Sequence, residues 1–458
     1  MTFNKYFEMK DIYRYEKFIY SAKTCLMASK SIMLIGIAVI VVLAALALLL
    51  TQQPQTTTPA LTETPTPTPS QTPVKTVVIG AALPLTGGLE SYGRTAKVAV
   101  ELAVEDANKL CQNMKFDVVV EDTATSPTQA LSKIQAMYGR GIKLIVGPMS
   151  SAEVSAVKSF ADTNRIIIFS PSSTSPLLAV PNDYVYRIVP TDAVQSIALA
   201  ELLVKLGIKK VVMVFRNDAW GKGLSDALVR EARARGIEVL AVEGYDPAPG
   251  AFPTAAPAAV EKVARAVGAP APDVAFVIIS FEDDGLIVMQ HAAADPVLSR
   301  VRWIGTDGFA YSKSLIEQVG REMASVKLLG TVTAPVDTKD PKYVEFKERF
   351  KAKAGVEPKA YDPYAYDAAM MLMRIVCELG TDDPVKVRET LERWGREGTY
   401  KGVTGVVYLD EAGDRAYANY VIWGVVLKDG KPQYVDAGYF YGVERRIEVF
   451  DEGRELFR

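Results

Sequence analysis

Histidine and cysteine are nearly absent from this sequence, which limits the chemistry it can carry. Its 458 residues include one histidine, His291, and three cysteines. A single imidazole leaves one candidate for histidine-based nucleophilic catalysis, and no serine stands in the Gly-x-Ser-x-Gly turn of hydrolases. A phosphate-binding Gly-x-x-x-x-Gly-Lys loop and a zinc-type histidine and cysteine cluster are missing, and the turn at residues 410–414 is shorter than a calcium loop. The sequence therefore predicts a protein that is not an enzyme and uses no cofactor or metal.

An excess of charge of either sign is also missing. The chain has 54 acidic residues against 52 basic ones, and 49% of its residues are hydrophobic. This is an ordinary globular composition. It does not favour nucleic acid as a partner.

Residues 31–50 form an uninterrupted apolar segment of twenty residues, long enough to span a bilayer as a helix. Residues 1–30 carry six basic and three acidic residues, a net charge of +3, which predicts a cytoplasmic tail and places the rest of the chain outside the cell.

A cleaved secretory signal is an alternative, although no small-residue cleavage pattern follows the run. A pilin-type cut between Ser31 and Ile32 is another. Because Cys25 precedes the run, it cannot be the lipid-accepting cysteine of a lipoprotein. We expect a single-pass N-terminal anchor.

Residues 51–75 are rich in threonine and proline and contain almost nothing apolar. Such a segment cannot bury a core and is typical of an extended spacer, at ~3 Å per residue. We expect a stalk, and we expect the part of the chain that carries chemistry or binding to be a domain at residues 76–458.

Cys111 and Cys377 are the cysteines that lie in the predicted domain. Two cysteines do not make a disulfide scaffold. One bridge is possible outside the cell, but both residues lie in helical patterns, so two buried thiols are the alternative.

Strand patterns alternate with helix patterns throughout the predicted domain. Short apolar runs, such as residues 77–83, are followed by segments with apolar residues at helical spacing, such as residues 96–107. This alternation predicts parallel sheets with helices on both faces. The strands are too many for one sheet of usual size, so we predict an α/β fold with two doubly wound lobes. Near the end of the chain, residues 403–409 and 419–427 are predicted to form a hairpin around the turn at residues 410–414.

Two turns rich in hydroxyl groups follow neighbouring predicted strands. One, at residues 147–153, opens a helix, and the other, at residues 170–174, follows the next strand. Free backbone N–H groups at a helix start, together with hydroxyl groups, suit a small anion such as a carboxylate. Ser150 and Glu153 match a capping box, so Ser150 is interpreted mainly as a helix cap. Ser151 is the better candidate for ligand binding.

Several short motifs occur in a specific order and spacing over the whole domain. They are Ile79-Gly80, Pro84-Leu85-Thr86-Gly87, Tyr92-Gly93, residues 103–108, Val146-Gly147-Pro148 with Ser150-Ser151, residues 170–176, Arg187 with Asp192 and Gln195, Trp220-Gly221-Lys222-Gly223, residues 304–308, Tyr366-Asp367-Ala368 and residues 405–413. Through these motifs the domain resembles the type I periplasmic-type solute-binding proteins of ABC importers, and most closely their branched-chain amino-acid-binding group.

The resemblance implies two lobes that are joined by three crossings and close on a ligand like a hinge. It assigns residues 76–190 and 333–397 to the first lobe. Residues 191–332 and 398–458 are assigned to the second lobe.

The resemblance also implies a set of ligand-binding residues. An amino-acid carboxylate is expected on Ser151, on the backbone of Ser172 and on Thr174, which agrees with the turn chemistry. Asp307 stands where the family usually has a glutamate, and is expected to take the α-ammonium group. Tyr92 is expected beside the ligand side chain.

Some expected ligand contacts depart from the family pattern. Trp220 and Phe281 stand in place of tyrosines, so the aromatic character is kept and the hydroxyl is lost. Glu282 is a further candidate for ligand contact and begins a run, residues 282–284, that is more acidic than expected. Three of the expected ligand contacts also have a purely structural interpretation. Trp220 could cover the second lobe, Asp307 could cap a helix, and the acidic run could be a solvated helix start.

Together these features predict a membrane-anchored, extracellular substrate-binding protein of an ABC transporter. We expect it to capture an amino acid, branched-chain or otherwise hydrophobic, and to deliver it to permease and ATPase subunits. A receptor or sensor ectodomain is an alternative, as is a binding protein for a small amide, urea-like or carboxylate solute.

Overall fold

The computed structural model describes residues 75–335 and 338–458. The predicted tail at residues 1–30 and the predicted span at residues 31–50 lie outside the described residues, as does the stalk up to residue 74. Within the described ranges, no helix combines the length and the apolar character needed to cross a bilayer.

Strands and helices alternate along most of the described chain. The strands are β1 Lys75–Leu83, β2 Met114–Asp122, β3 Leu144–Val146, β4 Ile167–Ser170, β5 Val185–Pro190, β6 Lys210–Arg216, β7 Glu238–Tyr245, β8 Val274–Ile279, β9 Arg302–Gly305, β10 Leu329–Ala334, β11 Lys401–Gly402, β12 Gly405–Val406, β13 Asp414–Arg415, β14 Asn419–Lys428, β15 Lys431–Tyr441 and β16 Arg446–Val449. The helices are α1 Glu90–Leu110, α2 Pro127–Gly139, α3 Ser151–Asn164, α4 Asp192–Lys205, α5 Ala219–Ala234, α6 Phe252–Val267, α7 Glu282–Ala294, α8 Lys313–Ser325, α9 Pro341–Ala354, α10 Asp362–Leu379 and α11 Pro384–Glu397.

The strands form two main sheets, one for each lobe. The first sheet has six parallel strands in the order β13-β5-β4-β3-β1-β2. The second has eight strands in the order β16-β15-β14-β10-β9-β8-β6-β7. It is parallel from β7 to β10, whereas β14, β15 and β16 continue it as an antiparallel meander. The α/β architecture is as predicted, but the second sheet is parallel only in part.

The chain passes between the two sheets at three places within the described residues. It leaves the first sheet after β5, returns to the first lobe after β10, and leaves again between β13 and β14. Their number agrees with the three crossings that the family resemblance implies.

The predicted hairpin of residues 403–409 and 419–427 is wrong in its pairing, although the predicted turn at residues 410–414 is present, since Leu409 and Arg415 form an antiparallel bridge around it. The carboxylate of Asp367 accepts the backbone N–H groups of Val403 and Thr404 at 2.9 and 2.8 Å, and these two residues form the turn between the short strands β11 and β12. The second predicted strand instead pairs with β15, which the sequence analysis does not identify.

The segment that follows residue 398 also lies partly in the other lobe from the one predicted. β13 pairs with β5 of the first sheet, and its Asp414 binds the buried guanidinium of Arg187 through two oxygens at 2.5 Å. A buried ion pair needs both partners in place, because an unpaired buried charge is strongly destabilising. Residues 401–415 therefore belong with the first sheet, and the second lobe resumes at β14.

Helices α1 and α10 pack together on the first lobe, and a disulfide joins their ends. The buried residues of α1 include several small ones, such as Ala96, Ala99 and Ala103. Cys111, just after α1, is bonded to Cys377 near the end of α10, 266 residues further along the chain. The sequence leaves open whether these cysteines form a disulfide or two buried thiols, and in the structure they form the disulfide.

The bridge predicts a redox-dependent stability. The double substitution Cys111→Ser and Cys377→Ser should lower the free energy of unfolding by about 2–4 kcal/mol, because it removes a cross-link from the unfolded chain. Urea denaturation of the oxidised protein, the reduced protein and the variant measures this loss. A reductant should destabilise the parent protein and leave the variant unchanged; equal sensitivity of both would contradict the assignment.

Candidate functional site

A cavity lies between the lobes, at the carboxyl ends of parallel strands from both sheets. Its lining residues are Leu89, Tyr92, Met149, Ser150, Ser151, Ser172, Trp220, Phe281, Asp307, Gly308 and Tyr361. Six of the eight predicted site residues are among them, and Thr174 and Glu282 are not. The space enclosed within the cavity is about 20 Å³. This holds about one water molecule and is far below the ~300–1,000 Å³ of typical small-molecule sites, so binding a solute requires the two lobes to move apart.

Ser151 is the first residue of α3, at the end of the turn after β3. Its hydroxyl oxygen lies 3.0 Å from that of Ser173 and accepts the backbone N–H of Ser175 at 3.2 Å. Ser150 precedes it and forms the predicted capping box, since its hydroxyl accepts the N–H of Glu153 and the Glu153 carboxylate accepts the N–H of Ser150. The cap leaves the first N–H groups of α3 directed at the cavity without intrahelical partners.

The turn after β4 supplies the second set of hydroxyl groups. Ser172 donates its hydroxyl proton to the carbonyl oxygen of Met149 at 2.8 Å, which joins the two turns. The Thr174 side chain is buried, and its hydroxyl has no hydrogen-bond partner within 3.5 Å among the described residues, although it lies near enough to Asp192 to lower the pKa of that carboxyl group. A buried hydroxyl without a partner costs free energy, so this group is well placed for a ligand atom.

Asp307 follows β9, and its carboxylate is held by two neutral donors. Gln195 donates to one oxygen at 2.7 Å, and the hydroxyl of Tyr361 donates to the other at 2.5 Å. The side chain is 4% exposed. Burial raises the pKa of Asp307, against the lowering effect of the two hydrogen bonds. The carboxylate does not cap a helix of the second lobe, because one oxygen is bound by the side chain of Gln195 in the same lobe and the other by that of Tyr361 across the cleft.

Asp192 is a second buried acid near Asp307, at the start of α4. It is fully buried, and neither oxygen of its carboxyl group has a hydrogen-bond partner within 3.5 Å among the described residues. Its backbone N–H donates to the carbonyl of Thr174 at 2.8 Å. Burial, and then the negative charge of Asp307, raise the pKa of Asp192 well above its ordinary range, against the lowering effect of weaker hydrogen bonds from the side chains of Thr174 and Trp220 and of the charge of Arg187. Two buried carboxyl groups therefore lie near each other without a salt bridge in the described part of the chain, and a bound cation would stabilise their negative charge.

Two tyrosines enclose the acidic end of the cavity. Tyr92 donates to the backbone carbonyls of Asp307 and Ala310 at 3.0 and 3.1 Å, so it bridges the lobes. Its ring meets that of Tyr361 edge to face, with centroids 5.8 Å apart. The sequence analysis identifies Tyr92 but misses Tyr361, which stands just before α10 and has no local signal of its own.

Trp220 and Phe281 form one wall of the cavity. Their rings stack with centroids 5.0 Å apart and planes 18° from parallel. Both are 4% exposed. The contact with the cavity favours the ligand-facing prediction for Trp220 over a purely covering role.

Glu282 lies at the edge of the cleft, outside the cavity lining. Its carboxylate accepts the hydroxyl proton of Ser91 at 2.6 Å and lies 3.8 Å from the ammonium group of Lys359. Ser91 and Lys359 belong to the first lobe and Glu282 to the second, so the three side chains clasp the lobes together. The ammonium group also lies 4.6 Å from the ring centroid of Tyr92.

His291, the one imidazole of the chain, is exposed on α7, and its Nδ1 lies 2.9 Å from the carbonyl oxygen of Ile287. It is remote from the residues that line the cavity. Among the described residues, no group of three or more histidine, cysteine or acidic side chains is arranged to hold a metal ion.

Comparison with known proteins decides the family. Residues 95–428 match the family described as the receptor family ligand binding region. The chain belongs to this family. An uncharacterised protein of Methanocaldococcus jannaschii is 34% identical over 375 residues, which cover 77% of this chain and 88% of that protein.

Two further comparisons concern family members with known names. The leucine-, isoleucine-, valine-, threonine- and alanine-binding protein of Pseudomonas aeruginosa is 24% identical, over 76% of this chain and 89% of its own length. The branched-chain amino acid transporter substrate-binding protein LivJ of Streptococcus pneumoniae, solved with isoleucine, superimposes with a TM-score of 0.65 at 20% identity, over 79% of this chain and 99% of its own. The type I periplasmic binding protein fold predicted from the motifs is confirmed.

The clasp around Glu282 predicts an effect on release. Glu282→Ala should speed the dissociation of bound solute by roughly 2- to 10-fold, because one interlobe hydrogen bond is worth about 0.5–1.5 kcal/mol. Stopped-flow tryptophan fluorescence measures this rate. Glu243→Ala is a control, since Glu243 pairs with Lys262 within the second lobe at 3.0 Å. A loss confined to one class of solute would instead make Glu282 a direct ligand contact.

Proposed function

We propose that this protein is the substrate-binding component of an ABC importer, and that it captures a hydrophobic amino acid between its two lobes. The observation that carries the proposal is the pair of buried acids, Asp192 and Asp307, beside a set of neutral donors. A zwitterion with one ammonium and one carboxylate group complements this arrangement. The names of the relatives that bind leucine, isoleucine and valine support the same solute class.

The carboxylate of the solute docks on the first lobe. The start of α3 at Ser151 offers backbone N–H groups and a hydroxyl, and the unpartnered hydroxyl of Thr174 lies beside the next turn. Ser172 contributes through its backbone, because its hydroxyl proton is already donated to Met149. Neutral donors suffice here, since hydrogen bonds to an ionised acceptor are roughly twice as strong as neutral ones.

The ammonium group docks on Asp307, which is held in place by Gln195 and Tyr361. The buried Asp192 lies outside the cavity lining, and its carboxyl group adds negative charge near Asp307. When the lobes close, the carboxyl groups lose their hydrogen bonds to water, and the N–H groups of the solute ammonium replace them.

The solute side chain lies against Trp220, Phe281 and Leu89. Asp307 is the one ionisable acid or base among the described lining residues other than the tyrosines. A second charge on the solute would therefore stay unpaired in the closed cleft, which favours an uncharged side chain.

The predicted anchor and stalk place the binding domain outside the cell, where the disulfide between Cys111 and Cys377 would persist. Tethering keeps the loaded protein at a high local concentration near permease and ATPase subunits. The chain itself would perform no chemistry on the solute.

A thermal-shift screen tests the function. The purified protein, stripped of bound solute, is challenged with the amino acids and with small amides, nucleobases and carboxylates. A solute at about 100 times its dissociation constant should add roughly 2.7 kcal/mol of stability. Shifts with leucine, isoleucine or valine support the proposal. Shifts confined to solutes without an α-ammonium group would overturn the amino-acid assignment.

The acid pair predicts which variants lose binding. Asp192→Asn and Asp307→Asn should each weaken amino-acid binding at least 100-fold, because breaking a buried charge pair costs about 3–5 kcal/mol. Isothermal titration calorimetry measures the loss. Asp183→Asn is the control, since Asp183 is also buried but bonds Lys158 away from the cleft. An unchanged affinity in either variant would remove that carboxyl group from the site.

The same acids predict opposite effects of pH on binding and on stability. Because their folded-state pKa values are raised, the two carboxyl groups take up protons before they would in the unfolded chain. As the pH falls through these raised values, amino-acid affinity should fall, while their contribution to the unfolding free energy of the solute-free protein should rise. Titration calorimetry and urea denaturation across this range measure both. In Asp192→Asn both dependences should flatten, and an unaltered profile would contradict the role of Asp192.

A further inference from the structure

We infer that Arg216 is a positioning residue for solute selectivity: it holds the wall formed by Trp220 and Phe281, and so sets how bulky a solute side chain the cleft accepts. The inference rests on the proposed function, because it concerns the side-chain end of the same cavity. Arg216 itself does not line the cavity.

Arg216 ends β6 and joins two carboxylates. Its Nε atom lies 2.6 Å from Asp218 and its Nη1 atom 2.8 Å from Asp284. The residue is 8% exposed. Tyr245 donates its hydroxyl proton to the same Asp284 oxygen at 2.9 Å, so the anchor is tied to β7 as well.

Each of these carboxylates holds the backbone of one wall residue. Asp218 caps α5 and accepts the N–H of Trp220 at 3.0 Å. Asp284 turns back to the start of α7 and accepts the N–H of Phe281 at 2.7 Å. One guanidinium group therefore controls the starts of both helices that carry the wall.

The guanidinium also touches the wall directly. Its central carbon lies 3.6 Å from the ring centroid of Phe281, within the range of a strong cation–π contact. Phe281 in turn stacks on Trp220. The planar group of arginine suits this stacking, and the compact ammonium group of lysine does not.

Gly308 confines the wall from another side. A Cβ atom at this position would lie 2.6 Å from the Trp220 ring, 3.1 Å from the Phe281 ring and 2.3 Å from the carbonyl oxygen of Ser280. The backbone of Gly308 thus packs as closely on the rings as a residue can. Because Gly308 and Arg216 pack on the wall from two sides, the rings of Trp220 and Phe281 have little room to move.

A fixed wall matters most for large solute side chains. Leucine, isoleucine and valine extend to the aromatic rings, whereas alanine ends near its α-carbon. Loosening the wall removes packing from the large side chains and leaves the carboxylate and ammonium contacts untouched. The charge of Arg216 is balanced by Asp218 and Asp284, so its effect on the solute is through position.

The test compares Arg216→Lys with the parent protein. Lysine keeps the positive charge between Asp218 and Asp284 but loses the planar fork and the stacking on Phe281. Affinity for leucine, isoleucine and valine should fall about tenfold, as expected for one lost apolar contact, while affinity for alanine changes by less than about threefold. Calorimetry gives these ratios, and urea denaturation gives stability separately.

Arg235→Lys is the matched control. Arg235 also joins two carboxylates, those of Glu201 at 2.9 Å and Glu231 at 2.6 Å, and it lies outside the cavity lining. Its substitution should leave the ratio of leucine to alanine affinity unchanged.

A second readout needs no solute. The near-ultraviolet circular dichroism of the solute-free protein reports the stacked Trp220, whose signal is identified by difference with Trp220→Phe. This signal should weaken in Arg216→Lys and persist in Arg235→Lys.

Equal losses for all amino acids, or an unchanged affinity ratio with an unchanged Trp220 signal, would overturn the inference. If the parent protein binds no amino acid, the proposed function fails and the selectivity role fails with it. The Trp220 signal then still decides whether Arg216 positions the wall.

Discussion

Asp192 and Asp307 are enclosed together between the lobes, and neither forms a salt bridge among the described residues. In the open cleft, water can solvate such carboxyl groups, whereas closure without a cation leaves them buried and unpaired. An empty closed cleft is therefore costly, and a solute with an ammonium group removes that cost. Such a solute binds the closed form more tightly than the open form, and it therefore raises the population of the closed form.

In the proposed binding mode, the two ends of an amino acid are recognised by different means. The carboxylate would meet backbone N–H groups and hydroxyl groups after β3 and β4, which come from the first lobe alone. The ammonium group would meet Asp307 on the second-lobe side, with Asp192 nearby, and Tyr92 and Tyr361 of the first lobe would close over it. A solute that lacks either end can satisfy one lobe and not the other, so it cannot stabilise closure fully.

The acidic turn at residues 282–284 illustrates how one short segment serves several purposes. Glu282 clasps Ser91 across the cleft, and Asp284 anchors Arg216 and the backbone of Phe281. Closure of the lobes and placement of the aromatic wall are therefore carried by the same helix start. In the sequence these acidic side chains look like ligand contacts. In the structure, Glu282 and Asp284 form hydrogen bonds and ion pairs within the protein.

Local patterns in the sequence determined most of the secondary structure, the capping box at Ser150 and the two hydroxyl-rich turns at residues 147–153 and 170–174. Those features depend on neighbours a few positions apart, through helical periodicity, strand runs and caps. The three crossings and the predictions for Tyr92, Trp220, Phe281 and Asp307 came instead from the family resemblance, which rests on motifs spread over the whole domain. Only the tertiary structure decided the remainder. Asp192 and Tyr361 reach Asp307 from 115 and 54 positions away, β13 joins the first sheet through the ion pair with Arg187, and Cys111 pairs with Cys377. Such contacts arise from packing between distant segments, whose free energy no local pattern records.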